Sequence, residues 1–393
     1  MIPPPLRPAR VPIHPALLVP ILVAAMGWQW AMLPIITSDL PAYNIPWLEH
    51  IVAAGPFRAF AAPFANYTPP YLYLLATFSP LAAVIPAALV VKLVSYLCNA
   101  LLAAAFWRLL GSMDVAQRGR WMLLFFCLPT VMINAALLGQ CDGLYVAPCI
   151  MAVTAAIERR HRAMFAWAGL ALAIKAQALL GAPFLLAVVI ARQVPVRLWF
   201  YAPLGFAAAL APAALAGWPV SDLLAIYARQ AGTFSDIARN APNIWMVAQA
   251  LGGGAALTGL ALAMAIGAAA AYAARTGATF NWLTPPMQLR AALLAPMLMA
   301  GLLPKMHDRY FFMADILSFA LAIVAPSRDT WRIQAYVQLG SVAALMAYLM
   351  GVEALAVAGA LPMMVATWLA ARPLLLAAAN DNPLLPQRAA SPL

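Results

Sequence analysis

Apolar runs of about 15–25 residues recur along this chain from end to end, and they constrain the fold more than any motif does. A helix needs about 20 apolar residues to cross the hydrocarbon of a bilayer. Backbone groups in lipid must pair within the chain, so runs of this length imply helices. The alternation of period two that marks a barrel is absent. Composition agrees: 65% of the residues are hydrophobic and 9% charged, where a soluble domain carries roughly 25% charge. So few charges would not cover a globular surface.

The expectation is an all-α fold, a polytopic transmembrane bundle of about 11–14 spans. Spans are placed near 16–36, 88–108, 121–138, 143–157, 163–174, 177–191, 198–217, 250–274, 288–304, 310–325, 333–350 and 354–371. Segment 70–86 is apolar too, and reads either as a re-entrant or interfacial helix or as half of an extra hairpin. Residues 1–372 are taken as one transmembrane domain and 373–393 as a short cytoplasmic tail. Two polar stretches, 37–70 and 218–249, read as external loops carrying short interfacial helices. The first run follows Arg7 and Arg10 and reads as a retained anchor rather than a cleaved signal. Cys98, Cys127, Cys141 and Cys149 lie in or beside apolar runs with no framework spacing, so they read as free thiols.

The net charge of +11 reads as membrane orientation, not as nucleic-acid binding, because the basic residues cluster between apolar runs. The clusters are Arg7/Arg10, Arg108/Arg118/Arg120, Arg159/Arg160/Arg162, Arg192/Arg197, Arg275/Arg290, Arg328/Arg332 and Arg372/Arg388. The spans put all of them on one side, the cytoplasmic side by the positive-inside rule. The polar motifs then all fall at the opposite face.

Asp39 opens the first of these, in Thr37-Ser38-Asp39-Leu40-Pro41-Ala42-Tyr43. A carboxylate just past a helix can take a proton from an incoming hydroxyl, while Ser-Asp-Leu-Pro is equally good turn chemistry. Further on, Asn66-Tyr67-Thr68-Pro69-Pro70 and its aromatic neighbours suit a sugar or lipid cleft or an interfacial belt. Gly139-Gln140-Cys141-Asp142-Gly143 offers hydroxyl ligands or a tight hairpin turn. Lys175 and Gln177 interrupt an apolar stretch, in a chain with only three lysines. A lysine at that depth is costly and usually functional, with snorkelling at a helix end as the plain alternative. Asn240, Asn243 and Trp245 combine amides with an aromatic ring. Lys305, His307, Asp308 and Arg309 form the densest polar cluster between apolar runs, and its cations fit a phosphate. The four histidines show no metal-ligand spacing, and Walker, dinucleotide and nucleophile-elbow motifs are absent, so no metal or cofactor is expected.

In order, the motifs are an Asp after the first span, Asn-Tyr-x-Pro-Pro-Tyr, Gly-Gln-x-Asp, Ile-Lys-x-Gln, Asn-Ala-Pro-Asn-x-Trp and Lys-x-His-Asp-Arg-Tyr. From about residue 37 to 315 this order resembles the GT-C glycosyltransferases. Within them it is most similar to dolichyl-phosphate-glucose-dependent glucosyltransferases and bacterial polyprenyl-phosphate-mannose-dependent mannosyltransferases. The resemblance implies transfer of a hexose, mannose or glucose, from a polyprenyl-phosphate carrier to a lipid-linked or glycan acceptor at the non-cytoplasmic face. It implies Asp39 as the base, with Lys175, Lys305, His307 and Arg309 near the donor phosphate. Tyr43, Asn66, Tyr67, Gln140, Asp142, Gln177, Asn240, Asn243, Trp245 and Asp308 would meet sugar or acceptor. Two departures stand out: Ala176 where the pattern has Pro, and a shortened start to the last motif. The short, Ala-rich chain without sorting signals suits a bacterial inner membrane, with the site facing the periplasm. A lipid or small-solute transporter or flippase is the competing reading, suggested by Lys175 and Asp315 within apolar runs. A non-catalytic membrane subunit is the third, and it would not need acid and cations at one face.

Overall fold

A computed structural model describes residues 15–231 and 236–380. The described chain is all-α apart from two strands of two residues each. Arg7, Arg10 and Arg388 lie outside the described residues.

Each expected span coincides with helix, and the breaks follow local chemistry. Helix α1 (Pro15–Met32) gives way at Leu33-Pro34. The first loop holds a π-turn at Leu40–Asn44, α2 (Ile45–Ala54) and a 3-10 turn. Helix α3 (Pro69–Phe78) starts at a Pro-Pro pair that suits a first helical turn. Its ten residues are about half of what a crossing needs. Helix α4 (Ala87–Ser112) is long and largely buried. Next, α5 (Arg118–Phe125) and α6 (Pro129–Met132) with its π-turn meet at a 59° bend, because Pro129 cannot continue the helix before it.

Helix α7 (Asp142–Ile157) and α8 (His161–Ile174) form a tight pair, followed by a 3-10 turn and α9 (Ala182–Arg192). The short α10 (Val196–Trp199) leads directly into α11 (Tyr201–Ala216). The second loop holds α12 (Val220–Ala231), strand β1 (Ala238–Arg239) and α13 (Ile244–Ala250). The expected span at 250–274 begins later, because Gly252-Gly253-Gly254 interrupts the helix and Gly252 sits at φ 88°. Helix α14 (Thr258–Thr279) then runs uninterrupted. It is followed by α15 (Pro285–Leu302), strand β2 (Met306–His307), α16 (Phe312–Val324), α17 (Arg328–Met350) and α18 (Glu353–Asn380). Helix α18 continues into the segment expected to be tail.

Among the described residues, five helices are long and apolar enough to cross a membrane, and a sixth results if the bent α5–α6 pair is one span. Several others, including α7, α8 and α16, are apolar but shorter. At 1.5 Å per residue, the 13 residues of α16 span roughly 20 Å. Burial on all sides marks α16 as an inner helix.

Glycines set the closest approaches. A Cβ on Gly169 would lie 1.9 Å from the carbonyl oxygen of Ala202, and one on Gly205 would lie 2.5 Å from that of Ala166. Helices α8 and α11 therefore touch backbone to backbone. The largest apolar core joins α4, α7, α8, α9, α15, α16 and α17. A second core fastens α2, α3, α11 and α12 over the start of α4.

Successive helices run up and down, so the two ends differ chemically. At one end Glu158 pairs with Arg108 and Arg160, Arg192 reaches the Ala156 carbonyl, and Arg275 reaches that of Leu375. At the other end lie Asp39, Gln140, Asp142, Lys175 and Arg309. Among the described residues, Arg108, Arg160 and Arg192 meet around the C-terminal end of α7, whereas Asp142 at its N-terminal end joins Lys175.

Candidate functional site

Asp39 sits between α1 and the π-turn, and Lys92 fixes the chain that leads to it. The fully buried Lys92 ammonium donates to the carbonyls of Met32, Leu33 and Ile35 at 3.1, 2.8 and 2.7 Å. The ammonium thus gathers the carbonyls at and just beyond the end of α1, a helix end having carbonyls to spare. The Asp39 carboxylate is held from three directions. Oδ2 accepts from Gln140 Nε2 at 3.0 Å and lies 3.2 Å from Arg309 Nη2. Oδ1 accepts from the Tyr348 hydroxyl at 3.0 Å. The side chain keeps 24% exposure, so an incoming group can reach it.

Gln140 and Asp142 come from the turn between the second π-turn (Ile133–Leu137) and α7. Gly139 takes φ 60° there, and a Cβ on it would stand 2.8 Å from Leu40. Asp142 opens α7 and is 3% exposed. Its Oδ1 is 2.6 Å from Lys175 Nζ, and its Oδ2 accepts from Asn134 at 2.8 Å. Lys175 occupies an extended break between α8 and the 3-10 turn. Tyr227 and Thr68 from the two loops bond the Leu172 and Ile174 carbonyls near that break. Lys175 Nζ also faces the Tyr67 ring, 4.9 Å from its centroid.

The third part is the loop at 303–311. Strand β2 pairs in parallel with β1, Ala238 against Met306 and Arg239 against His307. The Lys305 amide donates to the Ile237 carbonyl at 2.6 Å. This strap fixes the backbone from which Arg309 reaches Asp39. Burial works against the Arg309 charge, but Asp308, Asp142 and Asp39 around it hold the guanidinium well above its ordinary range. Burial, with Arg309 and Arg239 nearby, lowers the His307 imidazole to about 4, so it is neutral at pH 7. Burial pushes the Asp308 carboxyl up to about 6 against the pull of Arg309, whose Nε lies 3.8 Å away.

Asp39, Tyr67, Gln140, Asp142, Lys175, His307, Asp308 and Arg309 thus form one neighbourhood, with Gln177 joined through the Tyr310 hydroxyl. Other residues singled out from the sequence stand elsewhere. Tyr43 is 40% exposed against the outer side of Trp47, 6.0 Å between ring centroids. Asn66 is exposed, and its carbonyl accepts from Gln230. Asn243 caps α13 and donates to the Ala300 carbonyl at 3.1 Å, while the Trp245 indole donates to that of Leu302 at 2.6 Å. Those two build the scaffold under the site. Asn240, at φ 55°, bridges to His307, and Lys305, at φ 61°, anchors the strap through its backbone.

Lys92, Asn134 and Tyr348 were not singled out from the sequence. The mid-helix Lys92 carried the only advance signal, an isolated charge in an apolar run. Among the described residues, no group of three or more His, Cys, Asp or Glu side chains is placed to hold a metal ion.

An apolar cleft of about 480 Å³ runs between α7, α8, α9, α11 and α16, lined by Cys149, Phe165, Leu172, Leu179, Phe184 and Met313. Its Leu172 and Ala178 flank the Lys175–Gln177 break. The arrangement can therefore hold an anion at its cations and an apolar chain beside them, with a reachable carboxylate alongside. No family model matches the chain, and no curated protein matches it in sequence.

Proposed function

We propose that the chain is an integral membrane glycosyltransferase of the GT-C kind. It moves a hexose, mannose or glucose, from polyprenyl phosphate to a lipid-linked or glycan acceptor at the non-cytoplasmic face, in a bacterial inner membrane. One juxtaposition carries the reading: a reachable carboxylate, Asp39, lies 3.2 Å from the cation Arg309, with Lys175 and an apolar cleft alongside. A polyprenyl-phosphate sugar combines an anion with a long apolar chain, and these features suit both parts. The arginine-rich end of the bundle then faces the cytoplasm.

Polyprenyl phosphate is already a good leaving group, so one carboxylate suffices where a glycosidase needs two. Asp39 accepts the proton of the acceptor hydroxyl as its oxygen attacks the anomeric carbon. The bond from that carbon to the phosphate oxygen breaks, and its electron pair leaves with the phosphate. Arg309 and Lys175 stabilise the charge that grows there. His307, neutral at pH 7, contributes a hydrogen bond rather than a charge. Attack opposite the leaving group inverts the anomeric configuration.

A reconstituted assay with polyprenyl-phosphate mannose and polyprenyl-phosphate glucose, wild type against Asp39→Ala, tests this. The wild type should consume one donor and the variant neither. Failure with both donors, even with membrane lipid extract supplied as acceptor, would sink the reading and bring the transporter forward.

A further inference from the structure

Tyr348 stands near the end of α17, 309 residues from Asp39 in sequence and outside the motif series. Its phenolic proton goes to Asp39 Oδ1 at 3.0 Å. A phenol has one proton to give. Ser38 Oγ, 2.8 Å from the same phenol oxygen, is therefore the donor in that second bond. The result is a chain from Ser38 to Tyr348 to Asp39.

The two carboxylate oxygens are held differently. Oδ1 has Tyr348, a neutral donor, and Oδ2 has Gln140 and the cation Arg309. The Asp39 oxygen that faces Arg309 is occupied by that cation and by the Gln140 amide. A phosphate is also a strong partner for arginine, so an arriving donor competes with Asp39 for Arg309. Once the guanidinium turns to the phosphate, Gln140 and Tyr348 are the side chains left holding Asp39.

We propose that Tyr348 is a positioning residue that holds Asp39 in place while Arg309 is handed from the carboxylate to the donor phosphate, so that the acceptor is activated only once the donor is bound. The proposal rests on the transferase reading of this site. The titratable or charged groups facing Asp39 are Arg309, His307 and Asp308 from the loop at 303–311 and Tyr348 from α17. All but Tyr348 are common to wild type and Tyr348→Phe, so a difference between their pH profiles belongs to the phenol.

The test uses the full chain in lipid nanodiscs and has two arms. The first is binding of undecaprenyl phosphate to wild type, Asp39→Asn and Tyr348→Phe. Asp39→Asn removes one of the carboxylates that compete with phosphate for Arg309, leaving Asp308, and should bind about fivefold tighter, and Tyr348→Phe should bind like wild type. The second is steady-state transfer by Tyr348→Phe. Loss of one hydrogen bond to a charged group should lower kcat about tenfold, leave the donor KM unchanged and move the acidic limb of the kcat/KM profile up by about one pH unit. Ser38→Ala should move the limb the same way by less.

Binding that is equal or weaker in Asp39→Asn overturns the handover while leaving the transferase intact. A Tyr348→Phe profile with an unmoved limb overturns the positioning role. No binding by any of the three proteins overturns the transferase reading, and this proposal with it.

Discussion

Replacing Lys175 with methionine should destabilise the protein more than replacing Lys175 and Asp142 together. The two side chains are 7% and 5% exposed and 2.6 Å apart. Methionine keeps most of the apolar stem, so the main loss is charge. It leaves Asp142 buried, with Asn134 as its remaining side-chain donor. Breaking one side of a buried pair costs about 3–5 kcal/mol. The double variant Lys175→Met/Asp142→Asn buries no charge at all. It retains an amide beside Asn134 and should cost about 1–2 kcal/mol. A double-mutant cycle then gives a coupling of at least about 1 kcal/mol, before any cost of Asp142→Asn alone is added. Reversible unfolding in mixed micelles, followed by far-UV circular dichroism across an SDS titration, measures all four corners. A single variant within about 1 kcal/mol of wild type, or a double variant less stable than the single, would refute the reasoning.

Gly169→Ala places a Cβ 1.9 Å from the Ala202 carbonyl and must push α8 from α11. It should lower stability by about 1–3 kcal/mol and, because Gly169 lines the apolar cleft, raise the donor KM. Thermal unfolding and donor titration read the two effects. Asn243→Ala removes a helix cap and the link to Ala300, and thermal unfolding should show a loss of about 1–2 kcal/mol. Stability against pH tests His307 and Asp308 together. His307 has its folded value lowered to about 4, so the unfolded chain binds the extra proton and stability from this group rises with pH between about 4 and 6.5. Asp308 is raised to about 6, so its contribution is fully present at low pH and is lost as pH climbs from about 4 to 6. The two nearly cancel in the wild type. In Asp308→Asn, chemical denaturation should become markedly more stable from pH 4 to 6, and a flat profile in the variant would count against the buried-imidazole reading.

The helices were legible because a bilayer-length apolar run is a strong, local signal. Up-and-down parity then placed Asp39, Gln140, Lys175 and Arg309 at one end without knowledge of any contact, and the fold joins them there. Tyr348 was not legible: a tyrosine near a helix end is indistinguishable from an interfacial anchor until its 309-residue contact is known. Asn243 and Trp245 looked like ligands by composition, yet whether an amide faces a substrate or caps a helix depends on backbone angles that residue types do not fix. Helix length misled as well. Several apolar stretches stop at 13–17 residues, α1 at Leu33-Pro34 and α8 at the extended Lys175.

The strap between Ala238–Arg239 and Met306–His307 has a consequence for any attempt to re-tailor the protein. Two hydrogen-bonded residue pairs make the outer loop and the cation-bearing loop a single mechanical piece. The outer loop is an obvious place to graft a segment from another protein. Such a graft would drag the His307 backbone, and with it the reach of Arg309, away from its present register. Loops of new sequence should therefore be tolerated only when 236–243 and 303–311 are exchanged as a set, much as both halves of a zip must come from the same garment.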